Sequence, residues 1–408
     1  MAERAKRIAV TAALLSLSLG VSGIGPLATQ SAQSAQGLDT ATASPTTTLP
    51  ASPRLTTSAP TFLAQSISFT SATDAWLLGI QRCTAGWCTT LRHSVNGGAT
   101  WTRASAPATS IGTGTSVQVS ELHFATPTAG YAFDPGLWVT HDAGAHWHRP
   151  VLPGEVVALA TTTTEAYAVV APCWPFTATS CSSPSRLYHS RVGSDAWHPV
   201  PGVTIPPSAS PAALDVSGSA VYLLVADWTY LLRAPDGLHF SHVAAPCPRT
   251  ATGLAMGPVD LALTSATRLA VLCAGGVAAG SEGKKVYVSS DGGRRFHQIA
   301  TPPFGGDVGQ LVAAGPSTLL VAARSGASEI YRTSGADTTW TTPITIGDGG
   351  MGFSDLAFSD ALHGAMIHGA ADSLVPSRVP LNSLPYPGQL YLTSDAGASW
   401  RRVVVSGE

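Results

Sequence analysis

The chain has 408 residues, a formal net charge of −2, and charged residues at only 11% of its positions. Its 41 glycines and 30 prolines favour many short strands joined by tight turns over long helices, whose exposed faces need charged residues. No run of Lys and Arg occurs beyond the N-terminus. The composition therefore excludes a nucleic-acid or anionic-membrane surface, because such binding depends on clustered positive charge.

The N-terminal segment is typical of an export signal. Arg4, Lys6 and Arg7 precede an apolar stretch at 8–19, which is followed by small residues. We predict a signal peptide over 1–35, with its cleavage position left open, and no transmembrane span after its removal. An uncleaved anchor is the alternative. Residues 36–61 are mostly Ala, Ser, Thr and Pro, which predicts a disordered linker before a folded domain at 62–408.

A short motif recurs along the folded domain, with an aromatic residue seven positions after a Ser or Thr. Four clear copies run from Ser94 through Asn96 to Trp101, from Thr140 through Asp142 to Trp147, from Ser289 through Asp291 to Phe296, and from Thr393 through Asp395 to Trp400. Degenerate copies end at Trp197, Phe240 and Trp340, so the aromatic residues are spaced by 43 to 60 positions. A period of this length indicates a repeat architecture.

The residue types of the motif suit a tight hairpin turn. An Asp or Asn side chain can accept hydrogen bonds from the backbone a few residues on, and Gly supplies a positive φ angle. The following Trp or Phe is expected to pack on the hairpin and between sheets. We therefore predict that the motif carboxylates form turns and are not catalytic.

The motif resembles the Asp-box, or BNR, repeat, which occurs in sialidases, sortilin-like ectodomains, some xyloglucanases and photosystem II assembly factors. The resemblance covers about residues 66–406 and implies a β-propeller. Each repeat has two early strands, an alternating strand before the motif and a further strand after the motif aromatic, which gives four antiparallel strands per repeat. The predicted fold is thus all-β, a seven-bladed β-propeller of four-stranded antiparallel blades with Asp-box hairpins. The predicted blades are 66–107, 118–153, 155–202, 212–246, 258–303, 308–345 and 353–406. Ring closure is predicted to need little strand exchange, or to recruit residues near Phe62.

Three insertions are predicted on the face opposite the motif turns, at 172–185, 274–284 and 369–388. Long loops on a rigid scaffold are a usual location for binding residues. Trp174, Phe176 and Tyr386 lie within these insertions between prolines, and they are the candidate binding residues. The alternative is that these rings cap the ends of their own blades.

The six cysteines indicate an oxidising compartment. Six cysteines allow 15 pairings. We favour pairing of neighbours, which joins Cys83 to Cys88, Cys173 to Cys181 and Cys247 to Cys273. No metal site is predicted, because His141, Asp142, His146 and His148 all fall in or beside a motif turn.

A resemblance to sialidases implies an Arg cluster and a Tyr nucleophile paired with a Glu. The nearest Arg motif, at 378–380, is misplaced in the last insertion, and Tyr331 recurs at the same blade position as Tyr188, Tyr287 and Tyr391. The sequence therefore favours an exported, monomeric, non-catalytic binding or scaffold protein without a cofactor, whose partner is a protein or a glycan. The alternatives are a divergent glycoside hydrolase and an assembly factor for a membrane protein complex.

Overall fold

Short strands joined by turns build the part of the chain that the structure describes. The computed structural model describes residues 62–84, 86–111, 118–173, 183–206, 211–225, 230–248, 256–278, 281–325, 327–334, 339–347, 352–369 and 388–405. Their 27 strands form seven antiparallel sheets, the blades of a β-propeller, which confirms the predicted fold. Within these ranges there is no helix long and apolar enough to cross a membrane. The predicted signal peptide and linker lie outside them.

The strands follow one another blade by blade. Blades 1 and 2 contain β1 (Phe62–Phe69), β2 (Ala75–Cys83), β3 (Gly86–Ser94), β4 (Thr102–Ala104), β5 (Glu121–Phe124), β6 (Gly130–Phe133) and β7 (Trp138–Thr140). Blades 3 and 4 contain β8 (Glu155–Thr161), β9 (Glu165–Ala171), β10 (Ser185–Arg191), β11 (His198–Ile205), β12 (Pro211–Ser217), β13 (Ala220–Val225), β14 (Tyr230–Ala234) and β15 (Ser241–Ala244). Blades 5 and 6 contain β16 (Gly257–Leu263), β17 (Leu269–Ala278), β18 (Ser281–Ser289), β19 (His297–Gln298), β20 (Asp307–Ala314), β21 (Thr318–Ser325), β22 (Ala327–Ser334) and β23 (Thr341–Ile346). Blade 7 contains β24 (Phe353–Phe358), β25 (Gly364–His368), β26 (Gln389–Thr393) and β27 (Arg401–Val403).

Blade 2 departs from the predicted four full strands. Its sheet contains β5, β6 and β7, and the fourth strand is reduced to one antiparallel bridge between Val139 and His148. The segment that follows contains Pro150 and Pro153, which lack the N–H that a longer ladder requires. The outer edge of blade 2 is therefore held less firmly than that of the other blades.

Apolar side chains pack between the blades more than within them. Among the described residues the core divides into seven clusters, one for each pair of adjacent blades. The aromatic residue of each motif packs into the cluster shared with the preceding blade; for example, Trp147 contacts the blade 1 cluster and Trp400 the blade 6 cluster. The indole N–H of Trp147 also donates to the carbonyl of Ser105 in blade 1 at 2.8 Å. The motif aromatics thus join successive blades.

The four clear motif copies share one hydrogen-bond pattern. The side-chain hydroxyl of the first residue accepts from the backbone N–H four positions on, at 2.9 Å between Gly144 and Thr140. The Asp or Asn side chain accepts from the N–H four positions after it, at 2.8 Å between His146 and Asp142 and at 2.9 Å between Thr100 and Asn96. Asp291 and Asp395 make the same bond at 2.9 Å. The hydroxyl, carboxylate and amide oxygens of these motif residues thus accept the hydrogen bonds that close the turns.

Acid is expected to weaken the aspartate turns more than the asparagine turn. Hydrogen bonds from the backbone N–H and the ring of His146 lower the pKa of Asp142 from 3.8 to about 2. A carboxyl whose pKa is lower in the folded chain adds stability above its unfolded pKa, and this stability is lost as the pH falls through the folded pKa. The melting temperature of the Asp142→Asn variant, measured by circular dichroism, should therefore fall less between about pH 4 and about pH 2 than that of the unmodified protein. The melting temperature of the reciprocal Asn96→Asp variant should fall more than that of the unmodified protein over the same pH range. The prediction would be contradicted if the melting temperatures of both variants changed with pH in the same way as that of the unmodified protein.

The ring closes without strand exchange. Blade 1 is built only from strands before Ala104, and blade 7 only from strands after Phe353. The first strands of the two blades, β1 and β24, pack side by side. Buried Asp355 joins them, because its carboxylate accepts from the Ile67 N–H at 2.7 Å and from the Ser66 hydroxyl at 3.2 Å. Closure therefore needs no strand exchange, and it also recruits residues near Phe62, because Phe62 packs with blade 7 and the Ala64 N–H donates to the Gly388 carbonyl at 2.9 Å.

The predicted insertion at 274–284 in blade 5 is wrong. Strand β17 continues to Ala278 and β18 begins at Ser281, so most of this segment is paired strand. Gly276 lies at a register shift with φ of 71°, where a glycine lets a strand bulge without ending it. Cys273, which lies within this hairpin, is bonded to Cys247.

Candidate functional site

The two faces of the propeller are formed by different segments. The motif face carries the motif turns and the turns between the first and second strands of each blade. Hydrogen bonds join these two kinds of turn within a blade, at 2.8 Å from the Gly97 N–H to the Thr73 carbonyl and at 2.9 Å from the Ala143 N–H to the Thr128 carbonyl. The loop face, on the opposite side, carries the hairpins between second and third strands and the crossings between blades.

The candidate binding residues Trp174, Phe176 and Tyr386 lie outside the described residues, so their role stays a prediction. Near the first two, Cys173 is disulfide-bonded, while its predicted partner Cys181 also lies outside the described part. In blade 1, Cys83 and Cys88 are bonded, with Cα atoms 6.1 Å apart. The cysteines in the described ranges include no free thiol, which is typical of an oxidising compartment.

A groove of about 770 Å³ lies on blade 1, toward the loop face. One wall is the third strand near the Cys83–Cys88 bridge, and the other is the crossing at 103–111. Its lining includes Ile80, Trp87, Thr89, Thr90, Arg103 and Ile111. The groove gives no signal in the sequence, because its second wall is an irregular crossing without a motif.

The groove exists because the fourth strand of blade 1 is short. Strand β4 pairs only with Leu91, Arg92 and His93, whereas β3 begins at Gly86. The first half of β3 therefore extends beyond β4, and the crossing at 105–111 runs past it without forming a strand. One contact bridges the two walls, from the Thr89 hydroxyl to the Thr109 carbonyl at 2.6 Å.

The groove is polar as well as apolar. Thr90 lines it, but this residue is only 1% exposed, so its hydroxyl is not accessible to a ligand. Arg103 is exposed, and the guanidinium of Arg82 lies 4.7 Å from the centre of the Trp87 ring. No described lining residue carries a carboxylate. The groove thus offers an apolar wall and positive charge.

The Tyr–Glu pair that a sialidase would need is present, but it is enclosed. Tyr331 donates to the carboxylate of Glu329 and contacts the Gly305 carbonyl at 2.8 Å. The Tyr331 side chain is buried, and burial together with Glu329 raises its pKa far above the ordinary value. Lys284 lies beside this ring and is itself buried. A tyrosine in this environment is inaccessible to a sugar and is a poor nucleophile.

The histidines of blade 2 separate into two groups. His146 pairs with Asp142, 2.6 Å apart, within its own motif turn. His141 and His148 both contact the carboxylate of Asp195 in blade 3, at 2.8 and 2.6 Å. In the sequence the three histidines stand beside Asp142, whereas Asp195 belongs to the next repeat, so only the structure brings Asp195 to them.

No protein-family model and no curated protein matches the sequence. Among solved structures, the chain is similar to YCF48 bound to a D1 peptide, with 15% identity, a TM-score of 0.51, and coverage of 82% of this chain and 94% of that one. It is similar to YCF48 from Cyanidioschyzon merolae, with 14% identity, a TM-score of 0.52, and coverage of 83% and 97%. A GH74 xyloglucanase from Xanthomonas campestris has 16% identity, a TM-score of 0.48, and coverage of 84% and 61%. At these identities the likeness shows the fold.

Proposed function

We propose that this chain is an exported, non-catalytic binding propeller that holds an extended protein segment in the groove of blade 1. The observation that carries the proposal is the open edge of β3, which projects beyond β4. The signal-like N-terminus and the disulfides support export. The hydrogen-bond pattern of the motif turns supports assignment to the Asp-box class.

A strand edge suits a peptide better than a sugar. Beyond β4, the outward backbone groups of β3 can pair with an added strand, so that main-chain hydrogen bonds give affinity and side-chain pockets give specificity. The crossing at 105–111 stands away from β3 and bounds the space that such a strand would enter.

The side chains around the groove favour particular peptides. Trp87 is partly buried and held beside the Cys83–Cys88 bridge, so little conformational entropy is lost when it contacts a ligand. Arg103 would attract an acidic side chain, because no lining carboxylate neutralises it within the described part of the groove. We expect an extended segment with an apolar residue against Trp87 and an acidic residue near Arg103.

Likeness of fold adds modest support. A protein of similar fold, YCF48, has been solved bound to a D1 peptide, so a propeller of this size is compatible with peptide recognition. The site proposed for the present chain rests on its own groove. Assembly of a membrane protein complex is one biological setting in which such recognition would serve.

The proposal is tested by probing the purified exported protein with a peptide array and a glycan array. We expect peptides with acidic and apolar residues to bind. Trp87→Ala should weaken binding by at least about tenfold, a change of about 1.4 kcal/mol.

A matched control is available on the motif face. His239 is exposed and lies in the degenerate turn of blade 4, so His239→Ala should leave peptide affinity unchanged. Binding confined to glycans, or equal losses from Trp87→Ala and His239→Ala, would reject the proposed site. Turnover of a sialoside or other glycoside by the purified protein would reject its non-catalytic character.

A further inference from the structure

Three potential metal ligands from two blades converge on the motif face. The Nε2 atoms of His141 and His148 lie 2.8 and 2.6 Å from the same carboxylate oxygen of Asp195. The ligand atoms of all three residues lie within 4.8 Å of one another. The side chains are 35%, 49% and 23% exposed, respectively, so the cluster is open to solvent.

We propose that His141, His148 and Asp195 bind a Zn²⁺ ion that fastens blade 2 to blade 3. The proposal replaces the sequence-based expectation of no metal, which considered Asp142 and left out Asp195. It is independent of the peptide groove, which lies toward the other face of the propeller.

The donor set matches zinc chemistry. Two imidazole nitrogens and one carboxylate oxygen are common zinc ligands, and a water molecule would complete a four-coordinate site. With metal–ligand distances of about 2.0–2.2 Å, tetrahedral ligands lie about 3.3 Å apart. The two histidine–carboxylate distances therefore need to lengthen by only about half an ångström. Each ring must also carry its proton on Nδ1, where exposure allows water to accept it.

The proposed ligands lie on two irregular segments of adjacent blades, which a bound ion would stabilise. His148 is the partner in the single bridge that remains of the fourth strand of blade 2, so this edge lacks a full ladder. Across the interface, the motif turn of blade 3 has lost its Asp and places Val192 at that position. Asp195 is held there at φ of 55°, an uncommon conformation for a residue other than glycine. An ion shared by these residues would stabilise both irregular segments.

A neighbouring pair provides a matched control. His146 and Asp142 consist of the same residue types on the same face and are also in contact, at 2.6 Å. They offer two ligands from one turn, and the Asp142 carboxylate is occupied by the His146 backbone N–H at 2.8 Å. Replacing His146 thus removes an exposed histidine of blade 2 without touching the proposed site.

The experiment titrates ZnCl₂ into tag-free full-length exported protein by calorimetry, and follows the melting temperature in parallel. We expect one Zn²⁺ per chain, a higher melting temperature with zinc, and normal affinity in His146→Ala. His141→Ala and Asp195→Asn should each weaken binding by at least about tenfold, since loss of even an outer partner of a zinc ligand has an effect of this size. Bound Co²⁺ should give the visible absorption of a four-coordinate site.

Three results would overturn the proposal. One is the absence of zinc binding to the unmodified protein at micromolar concentrations. Another is an equal loss of affinity in His146→Ala and His141→Ala, which would indicate nonspecific binding to surface histidines. The third is zinc binding that leaves the melting temperature unchanged, which would remove the structural role. Should a variant be unstable without metal, the Co²⁺ spectrum of Asp195→Asn, which keeps both histidines, still distinguishes a shared site from single-histidine binding.

Discussion

Replacing Asp355 with alanine is expected to lower the free energy of unfolding by about 3 kcal/mol, because a buried carboxylate that accepts hydrogen bonds across an interface leaves its donors unsatisfied when removed. Asp355 accepts from the Ile67 N–H and the Ser66 hydroxyl, and both belong to the blade at the other end of the ring. Ser66 in turn accepts from the Leu122 N–H at 2.9 Å, so the contact extends from blade 7 through blade 1 to blade 2.

A buried aspartate also links two consecutive blades within the ring, and it serves as the comparison for Asp355. Asp260 of blade 5 accepts from the Leu311 N–H of blade 6 at 2.6 Å. The chain joins blades 5 and 6 directly, so the two halves of that interface stay close after the bond is lost. We expect Asp260→Ala to lower stability by less than Asp355→Ala, and Asp355→Asn, which keeps an acceptor, to recover part of the loss. Urea unfolding followed by tryptophan fluorescence measures all three.

Hydrogen exchange adds a local readout. In Asp355→Ala the Ile67 amide should exchange faster than amides at the blade 5 and 6 interface. No chain segment links blade 7 directly to blade 1, so their junction can open more easily than an interface between consecutive blades. Equal stability losses in Asp355→Ala and Asp260→Ala, with unchanged protection of Ile67, would show that apolar packing alone closes the ring.

The Lys284→Met variant is expected to lose about 3–5 kcal/mol of stability, the range seen when one partner of a buried charged cluster is removed. Lys284 is 1% exposed, and its Nζ lies within hydrogen-bond distance of the carbonyls of Glu282, Phe304, Gly305 and Gly306. Burial lowers its pKa from the ordinary value, while three nearby carboxylates oppose that shift. The ammonium group fixes the crossing from blade 5 to blade 6.

Lys285 is the matched control for this variant. It is the next residue on the same strand and is only partly buried, so Lys285→Met should change stability by no more than about 0.5 kcal/mol. Loss of Lys284 should also make the crossing at 299–306 a site of limited proteolysis. If Lys284→Met unfolds at the same urea concentration as Lys285→Met and resists protease equally, water satisfies the carbonyls and the lysine has no such role.

Much of the fold could be predicted because its signals are local. A Ser or Thr, an Asp or Asn, a Gly and an aromatic residue at fixed spacing close one hairpin, so Asp142 and Trp147 could be assigned from their own turn. Repetition of that turn at regular intervals then gives the number of blades. Local signals did not reveal the structure at 274–284, where the predicted loop is a hairpin whose strands stay paired on both sides of a bulge at Gly276.

The candidate sites depend on contacts between segments whose proximity is not indicated by the repeat spacing of the sequence. The groove requires β4 to end at Ala104 while the crossing turns away, and the partners of Lys284 lie in the segment that leads to the next blade. The sequence alone thus determined the repeating hairpins, their number and the structural role of the motif carboxylates, and it favoured the pairing of Cys83 with Cys88, because each depends on residues close in the chain. Only the tertiary structure decided that Asp195 meets His141 and His148 and that Tyr331 is enclosed, because those contacts form when neighbouring blades pack at a particular angle.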